Sequence, residues 1–381
     1  MLTPPPARKA QSPAALVLRI LALVGVLFVF FVSLDLMGGA FKLMGSGFAE
    51  TLLATTRNPL AGLFAGILAT SLIQSSSTVT SLTVALVASG TLDVTSAIPL
   101  IMGANIGTTV TNIIVSMGHI TRPDEFLRAI AGASVHDFFN WMAVIILMPL
   151  ELLFGVLSKP AAALTSGMTG VGGLNVLSPL KAVTKPVAHW IQDLLFSNGI
   201  AVLLVGLALL FVALRYLVVI LNALVLGRSE GFMHRFVFGK PALAMLAGLV
   251  LTVFVQSSSV TTSLVIPLVG AGILTVRQIF PYTLGANVGT TITALLAALA
   301  LAAGAGPDEL TAVQSGLTIA FVHVMFNVFG IIIIYPVPFL REIPIRLAEF
   351  VGELAFKSRI YAIVYLIGLF YGLPLLLSFL F

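Results

Sequence analysis

Two copies of a short polar motif stand out in this sequence, and their residue types suit the binding of a small oxyanion. Gln74-Ser75-Ser76-Ser77 returns in the second half of the chain as Gln256-Ser257-Ser258-Ser259. Hydroxyl and amide groups supply hydrogen-bond donors for a tetrahedral oxyanion, and their oxygens suit a hard cation. Neither copy contains Lys or Arg. An anion bound here therefore needs its positive charge from a cation that arrives with it.

Two further motifs are repeated and add amide and hydroxyl oxygens. Gly103-Ala104-Asn105-Ile106-Gly107-Thr108-Thr109 recurs at the same offset as the serine motif, with Asn287, Thr290 and Thr291 in the second copy. A His-x-x-x-Asn pair, His136 with Asn140, recurs at a slightly larger offset as His323 with Asn327. Asn105 and Asn287 are candidate cation ligands because their amide oxygens are hard donors. We expect both histidines to be structural hydrogen-bonding residues.

Asp137 is the single acid that we place well inside a predicted membrane span. Its counterpart in the second copy is Val324, so the acid is an asymmetry in a duplicated site. A carboxylate costs about 2.5–3.5 kcal/mol at the centre of an inserted helix and is a functional candidate by default. A monovalent cation is its natural partner.

The composition explains why these residues must lie within a membrane. Hydrophobic residues make up 59% of the 381 residues and charged residues only 9%, against about 25% charged in a soluble domain. This excludes a soluble enzyme, a disordered chain and a nucleic-acid-binding protein. The absence of Cys excludes a disulfide, a thiolate metal site and a cysteine nucleophile. We predict an all-α polytopic membrane protein that is not an enzyme.

The repeated motifs divide the chain into two transmembrane repeats. The predicted division is a cytoplasmic N-terminal tail (1–13), repeat 1 (14–157), an extracytoplasmic linker (158–197), an inverted repeat 2 (198–338), and an interfacial helix with a final transmembrane segment (339–381). Full spans are predicted at 14–37, 94–118, 129–157, 198–227, 276–304 and 314–338.

The segments beside each QSSS motif are too short to span a membrane. They cover 59–73 and 78–90 in repeat 1, and 241–255 and 260–272 in repeat 2. Helices of about 13 to 15 residues do not cross a hydrocarbon core of about 30 Å. Each pair is therefore predicted to form a re-entrant helical hairpin with the polar motif at its tip. Irregular backbone at this depth requires a protein interior or a water-filled cavity.

The charges in the loops predict how the chain is oriented. Three full spans in each repeat, an odd number, turn the second repeat upside down relative to the first. Basic loop residues such as Arg122 and Arg128 then share the cytoplasmic side with the N-terminus, in keeping with the positive-inside rule. Three lysines of the outer linker, Lys159, Lys181 and Lys185, depart from that rule. The C-terminus is predicted to be extracytoplasmic.

Inverted repeats with interrupted helices near the midplane are the architecture of secondary transporters. The residues alone leave the substrate open among tetrahedral oxyanions and small carboxylates, and they do not exclude proton coupling. An anion-binding membrane scaffold or receptor is the alternative outside transport. Duplicated tips in opposite orientations argue against it, because a sensor needs no access from both sides.

The repeated QSSS motifs, the GANIGTT and GANVGTT segments, and the stretch from Phe126 to Trp141 resemble the type II sodium–phosphate cotransporters. The resemblance implies electrogenic, sodium-driven import of inorganic phosphate, preferably divalent, by alternating access. It implies that both QSSS motifs line the phosphate site. It also implies that sodium is bound by Asp137, Asn140, Thr290 and Thr293. His119 and Arg122 stand near positions where vertebrate members carry Gln and Asp.

The resemblance also implies the partners of the chain. They are inorganic phosphate, co-transported Na⁺ and the lipid bilayer, with no other cofactor and no nucleic acid. A homodimer in which each protomer has its own path is plausible for the family. The short linker without Cys is typical of a bacterial inner-membrane protein.

Overall fold

The computed structural model describes residues 17–26, 58–88, 92–167, 179–206, 237–255, 257–303 and 310–380, with isolated positions between 28 and 43 and between 208 and 220. Every regular element in these ranges is helical. Gln256, the loop 305–309 and much of the predicted spans 14–37 and 198–227 lie outside the described residues.

The first half of the described chain contains eight helices. They are α1 (Val17–Val26), α2 (Pro59–Ile73), α3 (Ser76–Ala88), α4 (Val94–Gly107), α5 (Val110–Ser116), α6 (Pro123–Phe154), α7 (Ser158–Gly167) and α8 (Pro179–Leu194). α2 begins after the N-cap Asn58 and ends at Gln74, which has the left-handed conformation (φ 54°). That conformation turns the chain into α3. The linker therefore includes α7 and α8, two helices that the sequence did not predict.

The second half repeats this order with local differences. Its helices are α9 (Pro241–Val255), α10 (Ser258–Ser263), α11 (Ile266–Gly270), α12 (Val276–Ala303), α13 (Leu310–Ile334), α14 (Pro338–Lys357), α15 (Arg359–Ile367) and α16 (Leu373–Leu380). A π-helical turn, Gly368–Gly372, joins α15 to α16. The predicted interfacial segment is thus a helix, α14.

Two predicted elements are interrupted in the structure. The arm predicted at 260–272 consists of α10 and α11, because Pro267 has no N–H to donate to Ser263 and so cannot continue α10. The span predicted at 94–118 is divided into α4 and α5 at Thr108 and Thr109, whose hydroxyls lie 2.9 and 2.7 Å from the backbone carbonyl oxygens of Ala104 and Ile106. Neither interruption was predicted.

Four helical stretches in the described part are long and apolar enough to cross a membrane. They are Val94–His119, Pro123–Phe154, Gln314–Ile334 and Arg359–Ser378. α2, α3 and α9 are shorter apolar helices of 13 to 15 residues. The expected alternation of full-length and short apolar helices is therefore present in the described chain.

Each short-helix pair packs against the opposite half of the chain. α3 contacts α12 and α13, whereas α10 and α11 contact α5, and α11 also contacts α6. Within its own half, α2 lies along α4 and α9 lies along α12. The residues after both QSSS motifs are thereby placed between the two halves.

Glycines allow the close approach of α2 to α4 and of α9 to α12. A Cβ at Gly103 would lie 2.0 Å from the carbonyl oxygen of Leu63, and a Cβ at Gly285 would lie 1.8 Å from that of Met245. The glycines and the carbonyls they meet occupy matching positions of the two repeats. Gly66 and Gly248 make the same contact in the reverse direction, with Leu100 and Tyr282. The two halves therefore use one packing solution twice.

Gly103→Ala is expected to destabilise the fold strongly. The new methyl group would meet the Leu63 carbonyl, a backbone atom that cannot rotate away. Overpacking of this kind costs about 1–3 kcal/mol or more. We expect a lower melting temperature in detergent, measured by circular dichroism. Gly368→Ala is the control, because no atom lies within 4 Å of its added Cβ. Equal melting of both variants would contradict this packing.

Candidate functional site

The first QSSS motif forms the turn between α2 and α3. The backbone N–H of Gln74 donates to Thr70 O at 2.7 Å, which ends α2. Ser75 Oγ accepts from the backbone N–H of Thr78 at 3.2 Å and so caps α3. Ser76 and Ser77 are the first residues of α3 and are buried. The side-chain amide of Gln74 is buried, and neither its oxygen nor its nitrogen has a hydrogen-bond partner among the described residues. This amide is free to bind a polar ligand.

The second motif lies at the start of α10. Ser257 is the N-cap and accepts from Val260 N–H at 3.3 Å, as Ser75 does in the first half. Ser258 and Ser259 are 2% and 5% exposed. Ser259 Oγ lies 3.5 Å from Thr108 O, at the break between α4 and α5. The structure thus brings the second motif to the interrupted span of the first half.

Asn112 extends this contact between the halves. Its Oδ1 accepts from Thr262 Oγ1 at 2.9 Å and from Ser263 Oγ at 3.1 Å. Its amide nitrogen is buried and has no hydrogen-bond partner in the part of the chain that the structure describes. Asn112 was not among the predicted site residues. It follows the repeated GANIGTT segment, but the matching position in the second half is Ala294. A search for residues shared by the two repeats therefore does not find Asn112.

Reciprocal hydrogen bonds join the repeated asparagines and histidines across the two halves. Asn287 of α12 accepts from His136 Nε2 at 2.6 Å and donates to Asn140 Oδ1 at 2.8 Å. Asn105 of α4 accepts from Asn327 Nδ2 at 3.1 Å and lies 3.3 Å from His323 Nε2. All of these residues are buried.

One more bond connects these two sets. Asn140 Nδ2 donates to the backbone carbonyl of Asn105 at 2.9 Å. His136 Nε2 acts as the donor to Asn287, because the Asn287 amide nitrogen is used on Asn140. The predicted structural role of His136 and His323 agrees with this geometry. Asn105, Asn140 and Asn287, predicted as cation ligands, lie together in one network.

Asp137 lies one turn before Trp141 on α6 and is fully buried. Thr109 Oγ1 is 3.0 Å from Asp137 Oδ1. The Tyr365 hydroxyl, from α15, donates to Asp137 Oδ2. No Lys, Arg or His forms an ion pair with Asp137 among the described residues. The carboxylate therefore has two neutral hydroxyl neighbours, whose oxygens suit a hard cation.

The two predicted threonines, Thr290 and Thr293, follow Asn287 on α12 and have different environments. Thr290 is buried and donates to Ala286 O in its own helix at 3.1 Å. Thr293 is half-buried one turn further along. Gln256, the last predicted site residue, lies outside the described residues. Thr109 and Tyr365 were missed, although Thr109 belongs to the repeated GANIGTT segment.

Comparison with known proteins identifies relatives for this chain. The profile of the family described as Na⁺/Pi-cotransporter matches residues 29–177 and 209–335. Sodium-dependent phosphate transport protein 2B of Homo sapiens is 35% identical over 94% of this chain and 64% of its own length. Protein 2A of Rattus norvegicus is 35% identical over 96% of the chain and 68% of its own length. Protein 2A of Oryctolagus cuniculus is 36% identical over 97% and 68%.

The chain therefore spans about two thirds of the length of these relatives. No solved structure matches it. By their names the relatives are transport proteins, not enzymes. The family match covers both halves, including Asp137, both asparagine–histidine sets and both QSSS motifs. On this evidence the chain belongs to the Na⁺/Pi-cotransporter family.

Proposed function

We propose that this protein is a secondary active transporter that imports inorganic phosphate, as the divalent ion, together with sodium ions. The observation that carries the proposal is the contact of Ser259, from the second serine motif, with Thr108 of the other half, next to Thr109 and the buried Asp137 carboxylate that Thr109 contacts. A duplicated anion site and a single acid are the parts that coupled, electrogenic transport needs. The names of the relatives support phosphate and sodium as the ions.

The proposed architecture has two inverted repeats, each with a re-entrant hairpin. The matched glycine contacts of α2–α4 and α9–α12 support a common unit. Pro99 and Pro281, both inside helices, stand at the same offset as the serine motifs. We place repeat 1 at 14–157 and repeat 2 at 198–338. Alternating access then arises when these units shift around a site between them.

The phosphate is proposed to bind between the two tips, at Gln74–Ser77 and Gln256–Ser259. The N-terminus of α3, a helix of 13 residues, presents backbone N–H groups and the positive end of a helix dipole. The unpartnered Gln74 amide and the hydroxyls of Ser76 and Ser258 add neutral donors. Sodium ions supply the charge that the tips lack.

Sodium is proposed to bind at Asp137 with oxygens from Asn140, Asn105, Asn287, Thr290 and Thr293. Asn287 Oδ1 accepts one hydrogen bond, from His136, and keeps a lone pair for a cation. Asn105 Oδ1 accepts from both His323 and Asn327, so it must exchange a hydrogen bond to become a ligand. Its backbone carbonyl already accepts from Asn140.

We place the protein in a bacterial inner membrane with a cytoplasmic N-terminus and an extracytoplasmic C-terminus. α14 supports the orientation, because Arg341, Arg346 and Lys357 lie on a helix with one buried apolar face, as expected at the inner interface. A homodimer with one path in each protomer is part of the proposal.

Phosphate uptake into liposomes tests the proposal. We expect labelled phosphate to accumulate with an inward sodium gradient and not with potassium or proton gradients, at clamped potential. Each sodium ion moving down a tenfold gradient supplies about 1.4 kcal/mol. Uptake driven by protons alone would favour the proton-coupled alternative. Sulfate or arsenate accumulating better than phosphate would favour another oxyanion, and sodium-dependent binding without uptake would favour a receptor.

A further inference from the structure

The last helical stretch of the chain is attached to the candidate site, although it lies beyond the region that the family profile matches. It consists of α15, the π-helical turn and α16. Arg359 Nε donates to Ile120 O at its start, and Tyr371 OH donates to Ser71 O at 3.3 Å in the π-helical turn. Between them, Tyr365 donates to Asp137. π-helical turns often occur at functional sites.

Tyr365 is the hydroxyl that is committed to Asp137. Thr109 Oγ1 lies 2.7 Å from Ile106 O and 3.0 Å from Asp137 Oδ1, but it has only one proton to donate to the two acceptors. Among the described hydrogen bonds, Tyr365 has no second acceptor for its proton. The Asp137 carboxylate therefore depends on the phenol for a dedicated donor.

The ring of Tyr365 is held in place by neighbouring aromatic side chains. Its centroid is 6.1 Å from that of Phe138, the residue after Asp137, and 6.1 Å from that of Phe370 in the π-helical turn. A Phe at position 365 would keep these ring contacts and lose only the hydroxyl. The hydrogen bond can thus be removed with little change to the packing.

The phenol and a sodium ion have opposite demands on Asp137 Oδ2. A buried carboxylate needs donors or a cation to replace its lost hydration. The phenol meets this need with a proton that points at the oxygen, and the same proton repels a cation that approaches that oxygen. The phenol therefore weakens sodium binding at Oδ2 unless its hydroxyl rotates or withdraws.

We propose that Tyr365 is a positioning residue that substitutes for the cation at Asp137, so that sodium binding breaks the Tyr365–Asp137 contact between the final helix and α6. The inference rests on the proposed function, because it takes Asp137 as a sodium site. The phenol competes with sodium for the carboxylate and so lowers the sodium affinity. When sodium has left, the phenol keeps the carboxylate hydrogen-bonded and in position. Release of the ion is thereby coupled to a contact of the last helix.

Tryptophan fluorescence tests this inference. The chain has two Trp residues, and Trp141 lies one helical turn from Asp137, whereas Trp190 is exposed. In a Trp190→Phe background, purified protein in detergent is titrated with NaCl against choline chloride at constant ionic strength. We expect Tyr365→Phe to lower the half-saturating sodium concentration about tenfold, equal to about 1.4 kcal/mol. A merely structural role would leave this affinity unchanged.

The controls separate this inference from the proposed function. Tyr361→Phe, at an exposed position of the same helix, should titrate like the parent. Asp137→Asn should lose the response, with or without Tyr365→Phe. If the parent protein shows no sodium response, or one that Asp137→Asn does not remove, the sodium site itself is rejected. If the parent protein responds to sodium but Tyr365→Phe binds sodium equally or more weakly, only the role of Tyr365 is rejected. If Tyr365→Phe does not fold, Tyr365→Met gives the same comparison.

Discussion

Asp137→Asn is expected to abolish the response of phosphate transport to membrane potential while leaving the protein folded. Asparagine keeps the shape of the side chain, and its single amide oxygen can still accept from Tyr365 while its amide nitrogen donates to Thr109 Oγ1. It removes the negative charge that neutralises one sodium ion. If one net charge moves per cycle, a potential of 100 mV adds about 2.3 kcal/mol, a change of about 50-fold in the accumulation ratio. Uptake into liposomes at clamped potentials measures this change.

Glu151→Gln is the matched control for this experiment. Glu151 is the other buried acid of α6, but its Oε2 accepts from the backbone N–H of Leu157 at 2.6 Å and so caps the next turn of chain. Its replacement should lower stability and keep the voltage response. A voltage response that persists in Asp137→Asn would remove Asp137 from the transported charge.

Ser76→Ala and Ser258→Ala are each expected to weaken phosphate binding about tenfold or more. Ser76 is the first residue of α3 and Ser258 the first residue of α10, and both are buried. A hydrogen bond to a charged group is worth about 1.5–3 kcal/mol, and about 1.4 kcal/mol is a factor of ten. The half-saturating phosphate concentration for sodium-driven uptake is the measurement. The double variant should be weaker than either single variant.

Ser134→Ala provides the comparison for these serines. Ser134 is also buried, but its Oγ donates to Ile130 O in its own helix at 2.8 Å. We expect this variant to keep the phosphate affinity of the parent. Wild-type affinity in both Ser76→Ala and Ser258→Ala would place the anion away from the QSSS motifs.

Local sequence features were sufficient to predict the helical fold and the short helices beside each motif. The apolar runs around Gln74 end at polar residues, and the observed α2 has the predicted bounds of 59–73. Family membership, inferred from the motifs, was confirmed by relatives that align over nearly the whole chain. The break between α10 and α11 was not predicted, although Pro267 lies beside it. The segment was identified by its hydrophobicity, which does not indicate that proline lacks a backbone N–H.

The pairing of site residues could not be predicted, because it depends on contacts between distant helices. His323 and Asn105 are 218 residues apart, and neither histidine motif indicates which asparagine it meets. Tyr365 is a single tyrosine in an apolar helix, a pattern that is common wherever aromatic residues pack. Its bond to Asp137 becomes visible only when α15 is placed against α6.

The glycine contacts described above determine where the molecule can bend. At Gly103 and Gly285 the facing atoms are backbone carbonyls, so these interfaces have no side-chain rotamers to change and are stiff. Between the halves, the atoms nearest to a Cβ at Gly132 and at Gly270 belong instead to side chains, those of Val269 and His119. The pair α2 and α4, and likewise the pair α9 and α12, should each move as one lever.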